Sequence, residues 1–197
     1  VIGVPLLHVD QPRFTGWPRV LKRTSDIVLT TVGLVLLAPL LIAVAIGIRL
    51  QDGGPVFFRQ VRIGKNGEPF EMLKFRSMVV DAEARKAELM DRNEGHGGLF
   101  KMSSDPRVTR LGQFLRDWSL DELTQLFNGR KGSMSLVGPR PHLADELAEM
   151  PGEASRRSLV TPGLTGLWQI SGRSDLPGSE GIRLDLRYVE NWSVTLD

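Results

Sequence analysis

Residues 27–48, IVLTTVGLVLLAPLLIAVAIGI, carry no charged side chain. Their number matches the roughly 20 apolar residues an α-helix needs to cross the hydrocarbon of a bilayer. The run is apolar all round rather than along one stripe, which points to lipid rather than to a soluble core. Two features separate it from a simple crossing. Pro39 lies near its middle, where a proline removes a backbone hydrogen bond and clashes with the preceding turn, at a cost of about 3 kcal/mol. Basic residues also flank both ends, with Arg19, Lys22 and Arg23 before the run and Arg49, Arg59, Arg62 and Lys65 after it. A spanning helix usually collects Lys and Arg on one side. The pattern predicts a re-entrant membrane helix–break–helix over residues 19–50, broken at Pro39, with both ends on one side. A single kinked transmembrane helix is the alternative.

Past residue 50 the pattern becomes that of a water-facing domain. Two segments flank Lys65–Asn66–Gly67, and Asn-Gly is a strong hairpin-turn signal; strands are predicted at 56–63 and 69–75. Residues 79–92, rich in Ala, Glu, Arg and Lys, read as helix, and 94–98 as loop. Asp105–Pro106 reads as an N-cap followed by proline at the first helical position. Leu111, Phe114, Leu115 and Trp118 then recur at i, i+3, i+4 and i+7, the apolar face of a helix. That face suits either a core or the lipid interface. A further helix is predicted to open at Ser119, with Leu123, Leu126 and Phe127 on its apolar side. Residues 1–18, interrupted by prolines and a glycine, read as a tail or linker. The expected fold class is α+β and mainly helical: a re-entrant membrane helix, a small β-hairpin and amphipathic interfacial helices.

Composition changes this picture little. A chain of 197 residues suits one domain with a small appendage. Twenty-five Lys and Arg against 23 Asp and Glu leave a formal charge of +2, which gives no reason to expect a nucleic-acid partner. The absence of cysteine excludes disulfides and thiolate metal sites. His8, His96 and His142 are too scattered to form a metal cluster, so any metal would be a hard cation held by oxygen.

Candidate chemistry gathers at Asp121 and Glu122. Ser119 with Glu122 three residues later is the sequence of a capping box, in which Asp121 would merely complement the helix dipole. The same carboxylate pair could instead attack phosphorus or hold Mg²⁺. Arg140 stands between two prolines in GSMSLVGPRPH, a rigid loop suited to presenting a guanidinium to phosphate oxygens. Lys74 and Arg76 are two apart, on one face of a strand, and Arg107 and Arg110 follow Asp105. Singly, each reads as a solvated charge. Beside an acidic pair and a membrane anchor, together they outline a site for an anionic, lipid-linked or nucleotide substrate. Trp168 suits stacking on a base or packing in a core equally.

The segments PVFFRQVRIGKNGEPFEMLKFRSM, LRDWSLDEL and GSMSLVGPRP resemble the signatures of the bacterial sugar transferase family, the monotopic phosphoglycosyl transferases. With TPGLTGLWQISGR and DLRYVENWSVTLD, the chain is most similar to the polyprenyl glycosylphosphotransferases of exopolysaccharide and capsule synthesis. The resemblance runs from about Lys22 to Asp197. It implies an enzyme at the cytoplasmic face of the bacterial inner membrane. Its substrates would be a UDP-sugar and polyprenyl (undecaprenyl) phosphate, and its cofactor Mg²⁺, with Mn²⁺ as an alternative; a homo-oligomer is compatible with it. By residue matching Asp121 is the nucleophile, Glu122 helps it hold the metal, and Arg140 contacts phosphate; the residue reading adds Lys74, Arg76 and Arg107 to the phosphate-binding set. The domains implied are the end of a preceding domain at 1–18, the membrane helix at 19–50, and a cytoplasmic catalytic domain at 51–197 that continues further. The family's break falls at a Ser-Pro pair; here it is Ala38–Pro39. Thr124 and Ser133 stand where relatives often have Pro and Asp, and the basic pair Arg130–Lys131 is unusual. Two other readings compete: a membrane-attached scaffold that binds anionic lipid or nucleotide, which would need the basic residues but not the acidic pair, and a hydrolase acting on the same diphosphate.

Overall fold

The computed structural model describes residues 16–93, 102, 104–148, 156–172, 178–193 and 197. Most of the linker expected at 1–18, the loop at 94–98, His8 and His96 lie outside the described residues.

The first element is one helix, α1 (Trp17–Asp52), of 36 residues. Pro18 sits in its first turn, where a missing N–H costs nothing. Gly53 ends it in the left-handed region at φ 68°, with its N–H returned to the Arg49 carbonyl at 3.0 Å. Only glycine takes up that conformation without strain. Pro39 lies inside the helix and does not interrupt it: the ring removes a single bond from a long ladder, and the turns on either side persist. The expected 19–50 thus widens to 17–52, and the chain is helical across the position where a break was expected.

One face of α1 is spoken for. Asp26, Thr30, Leu41 and Ile48 are buried, and Gly33 and Gly47 pass close to Leu126 and Leu111. The opposite face leaves Val28, Leu29, Val32, Val35, Leu36, Ile42, Ile46 and Leu50 exposed. Both ends of the helix are fastened to the same body. Near the start, Arg23 donates to the carbonyls of Gly129 and Arg130, each at 2.7 Å, and Asp26 accepts from Ser135 Oγ at 2.8 Å and Leu136 N at 3.1 Å. At the far end Asp52 pairs with Arg76.

The hairpin forms as expected. Strands β1 (Phe57–Ile63) and β2 (Pro69–Phe75) pair antiparallel from Phe57↔Phe75 to Ile63↔Pro69. Asn66 and Gly67 take positive φ in the connecting turn, which is why that dipeptide stands there. The outer edge of β2 is sealed by side chains. Asn128 accepts from Leu73 N at 3.0 Å and donates to Glu71 O at 2.7 Å, and Thr124 Oγ1 donates to Leu73 O at 3.0 Å. Thr124 therefore has a bonding role that a proline could not fill. The helix expected at 79–92 contracts to α2 (Ala82–Glu88) and a separate 3₁₀ turn, Met90–Arg92.

Helix α3 (Arg110–Asp117) is capped by Thr109, whose side chain accepts from Gly112 N, rather than by Asp105. Asp105 instead accepts from the backbone and guanidinium of Arg107. Helix α3 crosses the chain just after β2 so closely that a Cβ on Gly112 would lie 1.8 Å from the Ser77 carbonyl oxygen. The continuous helix expected from Ser119 is a 3₁₀ turn, Leu120–Glu122, followed by α4 (Gln125–Lys131). Strand β3 (Ser135–Val137) pairs in parallel with β4 (Gly163–Thr165). Between them lies α5 (Ala144–Ala148). After β4 come α6 (Leu167–Ile170) and α7 (Gly178–Asn191). One apolar cluster joins Leu41 and Ile48 of α1 to Phe75 and Leu115; a second joins Val160 to Tyr188, Val189 and Trp192. The first docks α1 on the hairpin, and the second docks α7 on the β3–β4 pair.

Candidate active site

Asp121 lies in the 3₁₀ turn between α3 and α4. Ser119, just before it, adopts a left-handed conformation at φ 54° and gives no side-chain cap. Glu122 does not reach back as a capping box requires; its carboxylate meets Lys74 Nζ at 2.7 Å. The capping alternative therefore fails, and so does the idea that Asp121 opens a long helix whose dipole steadies it. The turn is instead pressed against β2 by Thr124, and Asp121 ends 8% exposed. Burial pushes its carboxyl above the usual range and neighbouring Glu122 adds to this, while Lys74 and Arg116 pull it back. A carboxylate in that balance is poorly solvated and basic for its kind, which favours nucleophilic attack.

Asp121 and Glu122 face a cavity of about 730 Å³ shared with Arg62, Lys74, Arg116 and Arg140. Counting every lining residue, seven Lys and Arg meet three Asp and Glu, so the cavity selects anions. Arg76 and Arg107 also line it, but each is engaged. Arg76 grips Asp52 through both terminal nitrogens, one bond at 2.8 Å. Arg107 holds Asp105 at 2.7–3.2 Å and donates to Ala82 O at 3.3 Å. Both are built into the wall by carboxylates that do not line the cavity, whereas Lys74 pairs with Glu122 inside it, so Lys74 and Arg140 are the better-placed members of the expected set. Arg110 is exposed and does not line the cavity.

Arg140 lies over the Trp168 ring, 4.8 Å from its centroid. Trp168 is thus a wall residue of the cavity, with a guanidinium stacked on it. His142 is half-buried and bonded to Glu146 at 2.9 Å. Burial lowers its pKa below the ordinary value, and it does not line the cavity, as its scattered position suggested.

Two cations of the site were not singled out from the sequence. Arg62 had been read only as a membrane flank, and Arg116 not at all. The hairpin register carries the missing signal: Phe58, Gln60 and Arg62 stand opposite Lys74, Met72 and Phe70, so Lys74 and Arg62 share one face. Arg116, whose Nε donates to Ser77 Oγ at 2.8 Å, becomes visible only when α3 is docked beside the turn.

No group of three or more His, Asp or Glu converges on one point among the described residues. Two adjacent carboxylates in an anion-selecting cavity still suit Mg²⁺. That ion keeps several waters and is commonly held by one or two carboxylates together with substrate phosphates.

A long apolar helix, long enough to cross a membrane by length and composition, is thus docked on a cation-lined cavity that holds an acidic pair, a class of site suited to an anionic substrate. Residues 17–197 match the family model described as bacterial sugar transferase, and the chain belongs to that family. It is 45% identical over 177 residues to the galactosyl transferase CpsE of Streptococcus agalactiae serotype III, covering 89% of this chain and 39% of that protein. It is 42% identical over 199 residues to the undecaprenyl-phosphate galactose phosphotransferase of Salmonella typhimurium, covering 98% of this chain and 41% of that protein. Identity to the exopolysaccharide production protein ExoY of Rhizobium meliloti is 42% over 180 residues, 89% of this chain and 80% of that protein. The chain thus spans about two fifths of the length of the first two.

Proposed function

We propose that this chain is a phosphoglycosyl transferase domain. It would move a sugar-1-phosphate from a UDP-sugar to polyprenyl phosphate, starting an exopolysaccharide, capsule or O-antigen chain. The observation that carries this reading is the buried Asp121 beside Glu122 in a cation-lined cavity, at the foot of an apolar helix. In the first step an oxygen of Asp121 attacks the β-phosphorus of the UDP-sugar. The new O–P bond forms as the bond between the β-phosphorus and the bridging oxygen breaks, and UMP leaves with that oxygen. In the second step an oxygen of polyprenyl phosphate attacks the same phosphorus, forming the lipid diphosphate sugar and returning Asp121 as carboxylate. Splitting the transfer in this way lets each step involve one substrate at a time.

Lys74 and Arg140 offset the charge of the diphosphate that an anionic nucleophile must approach. Mg²⁺, or Mn²⁺, when bound at Asp121 and Glu122 would neutralise diphosphate oxygens further. In this reading the bare face of α1 lies in the cytoplasmic leaflet and both ends of the helix stay on the cytoplasmic side, so that the unbroken helix anchors the chain without crossing. What supports this is that one body grips the helix near its start, at Arg23 and Asp26, and at its end, at Asp52.

Asp121→Asn is expected to abolish UMP release from UDP-sugar, by at least about a thousandfold as for loss of a covalent nucleophile. Mass spectrometry of the wild type incubated with UDP-sugar alone is expected to show a sugar-phosphate adduct on Asp121. Normal turnover in Asp121→Asn would exclude the mechanism. EDTA is expected to stop release and Mg²⁺ to restore it. Free sugar phosphate in place of lipid-linked product would identify a hydrolase.

A further inference from the structure

Behind the cavity wall lies a set of buried ionisable groups that the chemistry above does not use. Asp185 on α7 is 1% exposed and Arg157 is 7% exposed. The Arg157 guanidinium donates to Asp185 Oδ2 and to His142 Nε2. The imidazole, accepting there, is neutral and carries its proton on Nδ1, which it donates to Glu146. Glu146 also accepts from Leu143 N at 3.0 Å and lies 3.5 Å from Arg62 Nη1. Arg62 in turn donates to the Pro141 carbonyl at 3.3 Å.

All of these groups enclose one stretch of chain, residues 139–143. Its backbone is held as well. Pro139 O accepts from Gly163 N, and His142 O from Ile63 N, each at 2.9 Å. Asp185 meets this stretch through Arg157, whose guanidinium bridges it to His142, two residues beyond Arg140. Arg62 and Arg157 balance Glu146 and Asp185 in charge. A buried, balanced ionic set stabilises a fold little more than apolar packing of the same volume would; the geometry it enforces is another matter.

We propose that Asp185 and Arg157 are positioning residues for Arg140: through His142 they hold from behind the segment that carries it, so that its guanidinium meets the donor phosphate already oriented over Trp168. Neither residue lines the cavity, so each acts through Arg140. The proposal rests on the reading of Arg140 as a phosphate contact. A preorganised donor saves the cost of reorganisation at the moment of reaction, and a misplacement of about 1 Å costs up to about a hundredfold in rate.

The test is a double-mutant cycle on the detergent-solubilised chain with Asp185→Asn, Arg140→Ala and the double variant. Binding of UDP is measured by calorimetry, and UMP release is measured with UDP-glucose and UDP-galactose as donors. Asp185→Asn is expected to weaken UDP binding and lower kcat/KM by about tenfold, well within the range for a displaced contact, with its unfolding midpoint close to wild type. The double variant is expected to be no worse than Arg140→Ala, because Asp185 then has nothing to position. Unchanged UDP affinity in Asp185→Asn, or additive losses in the double variant, would overturn the proposal. If Arg140→Ala itself binds UDP as wild type does, the phosphate-contact reading falls and the proposal with it; a normal Asp185→Asn beside a weakened Arg140→Ala removes the proposal alone. Should Asp185→Asn not fold, Arg157→Lys takes its place in the same cycle, since it keeps the charge but loses the two-way grip on Asp185 and His142.

Discussion

Lys74 does two things at once. It is the ion-pair partner of Glu122 at 2.7 Å and the strongest influence holding the Asp121 carboxyl down against burial. The direction of a substitution follows. In the proposed reaction Asp121 attacks as the carboxylate, so activity would be present above its pKa and lost as pH falls through it. Removing Lys74 removes a lowering influence, and the pKa rises further. Lys74→Met is therefore expected to move the acid limb of the kcat/KM profile to higher pH and to lower activity at pH 7 by about tenfold or more. The measurement is the pH dependence of UMP release under subsaturating donor. An acid limb that stays in place would mean that another group sets it. Arg76 and Arg107 differ from Lys74 in their partners: Asp52 and Asp105 do not line the cavity, whereas Glu122 does.

At the scale of elements, the site depends on how closely α3 and the Leu120–Glu122 turn approach β2. Thr109 starts α3 with a side-chain cap, Gly112 lets it touch the backbone at Ser77, and Arg116 then reaches Ser77 Oγ and the vicinity of Asp121. No side chain fits at position 112, because the obstacle is backbone rather than the end of a flexible chain. Gly112→Ala is expected to cost on the order of 3 kcal/mol and to lower the thermal midpoint by several degrees. It should also reduce activity by shifting Arg116. A midpoint equal to wild type would show that α3 can move away from β2 freely. Phe114 and Trp118, which the spacing placed on one apolar face, are both exposed. Leu111 and Leu115 of the same series join the cluster with α1. The stripe is thus split between core and surface, and an exposed aromatic pair beside a membrane helix suits the lipid interface.

For the whole molecule, the decisive relation is between α1 and the body. At 1.5 Å per residue, 36 residues reach about 54 Å, more than enough to cross a bilayer. A crossing helix would leave its ends on opposite sides, whereas here a single body binds residues from both halves of α1. Single cysteines at Arg19 and Gln51, both exposed in a chain without native cysteine, report on this directly. In intact cells both are expected to resist a membrane-impermeant thiol reagent, and both to react in inverted membrane vesicles. Labelling of one site from outside would establish a spanning helix and would require the contacts at Arg23 or Asp52 to open. Pro39→Ala is expected to leave both ends on one side, because α1 already runs unbroken through residue 39 and its contacts with the body fix it. A shift of that variant toward a spanning form would assign the anchor's geometry to the ring instead.

Features that depend on neighbours along the chain were legible in the order of residues. The apolar run and the hairpin with its Asn66–Gly67 turn rest on local periodicity and local backbone preference, which act over a few residues; the acidic pair stood out through the resemblance of its segment to the family. The ends of helices were less legible. Asp105 and Ser119 have the chemistry of caps, but Arg107 took the first carboxylate, and docking on β2 turned the residues after Ser119 into a 3₁₀ turn. The composition of the cavity could be read along the chain only in part: Lys74 and Arg140 were named from their segments, Arg62 and Arg116 were not. The four come from separate segments, and whether a cation faces the cavity with a partner inside it or is held by a carboxylate outside it, as Arg76 is by Asp52, depends on which segments pack together. Burial sets the basicity of Asp121 and the stiffness behind Arg140, and burial exists only once distant parts of the chain have met.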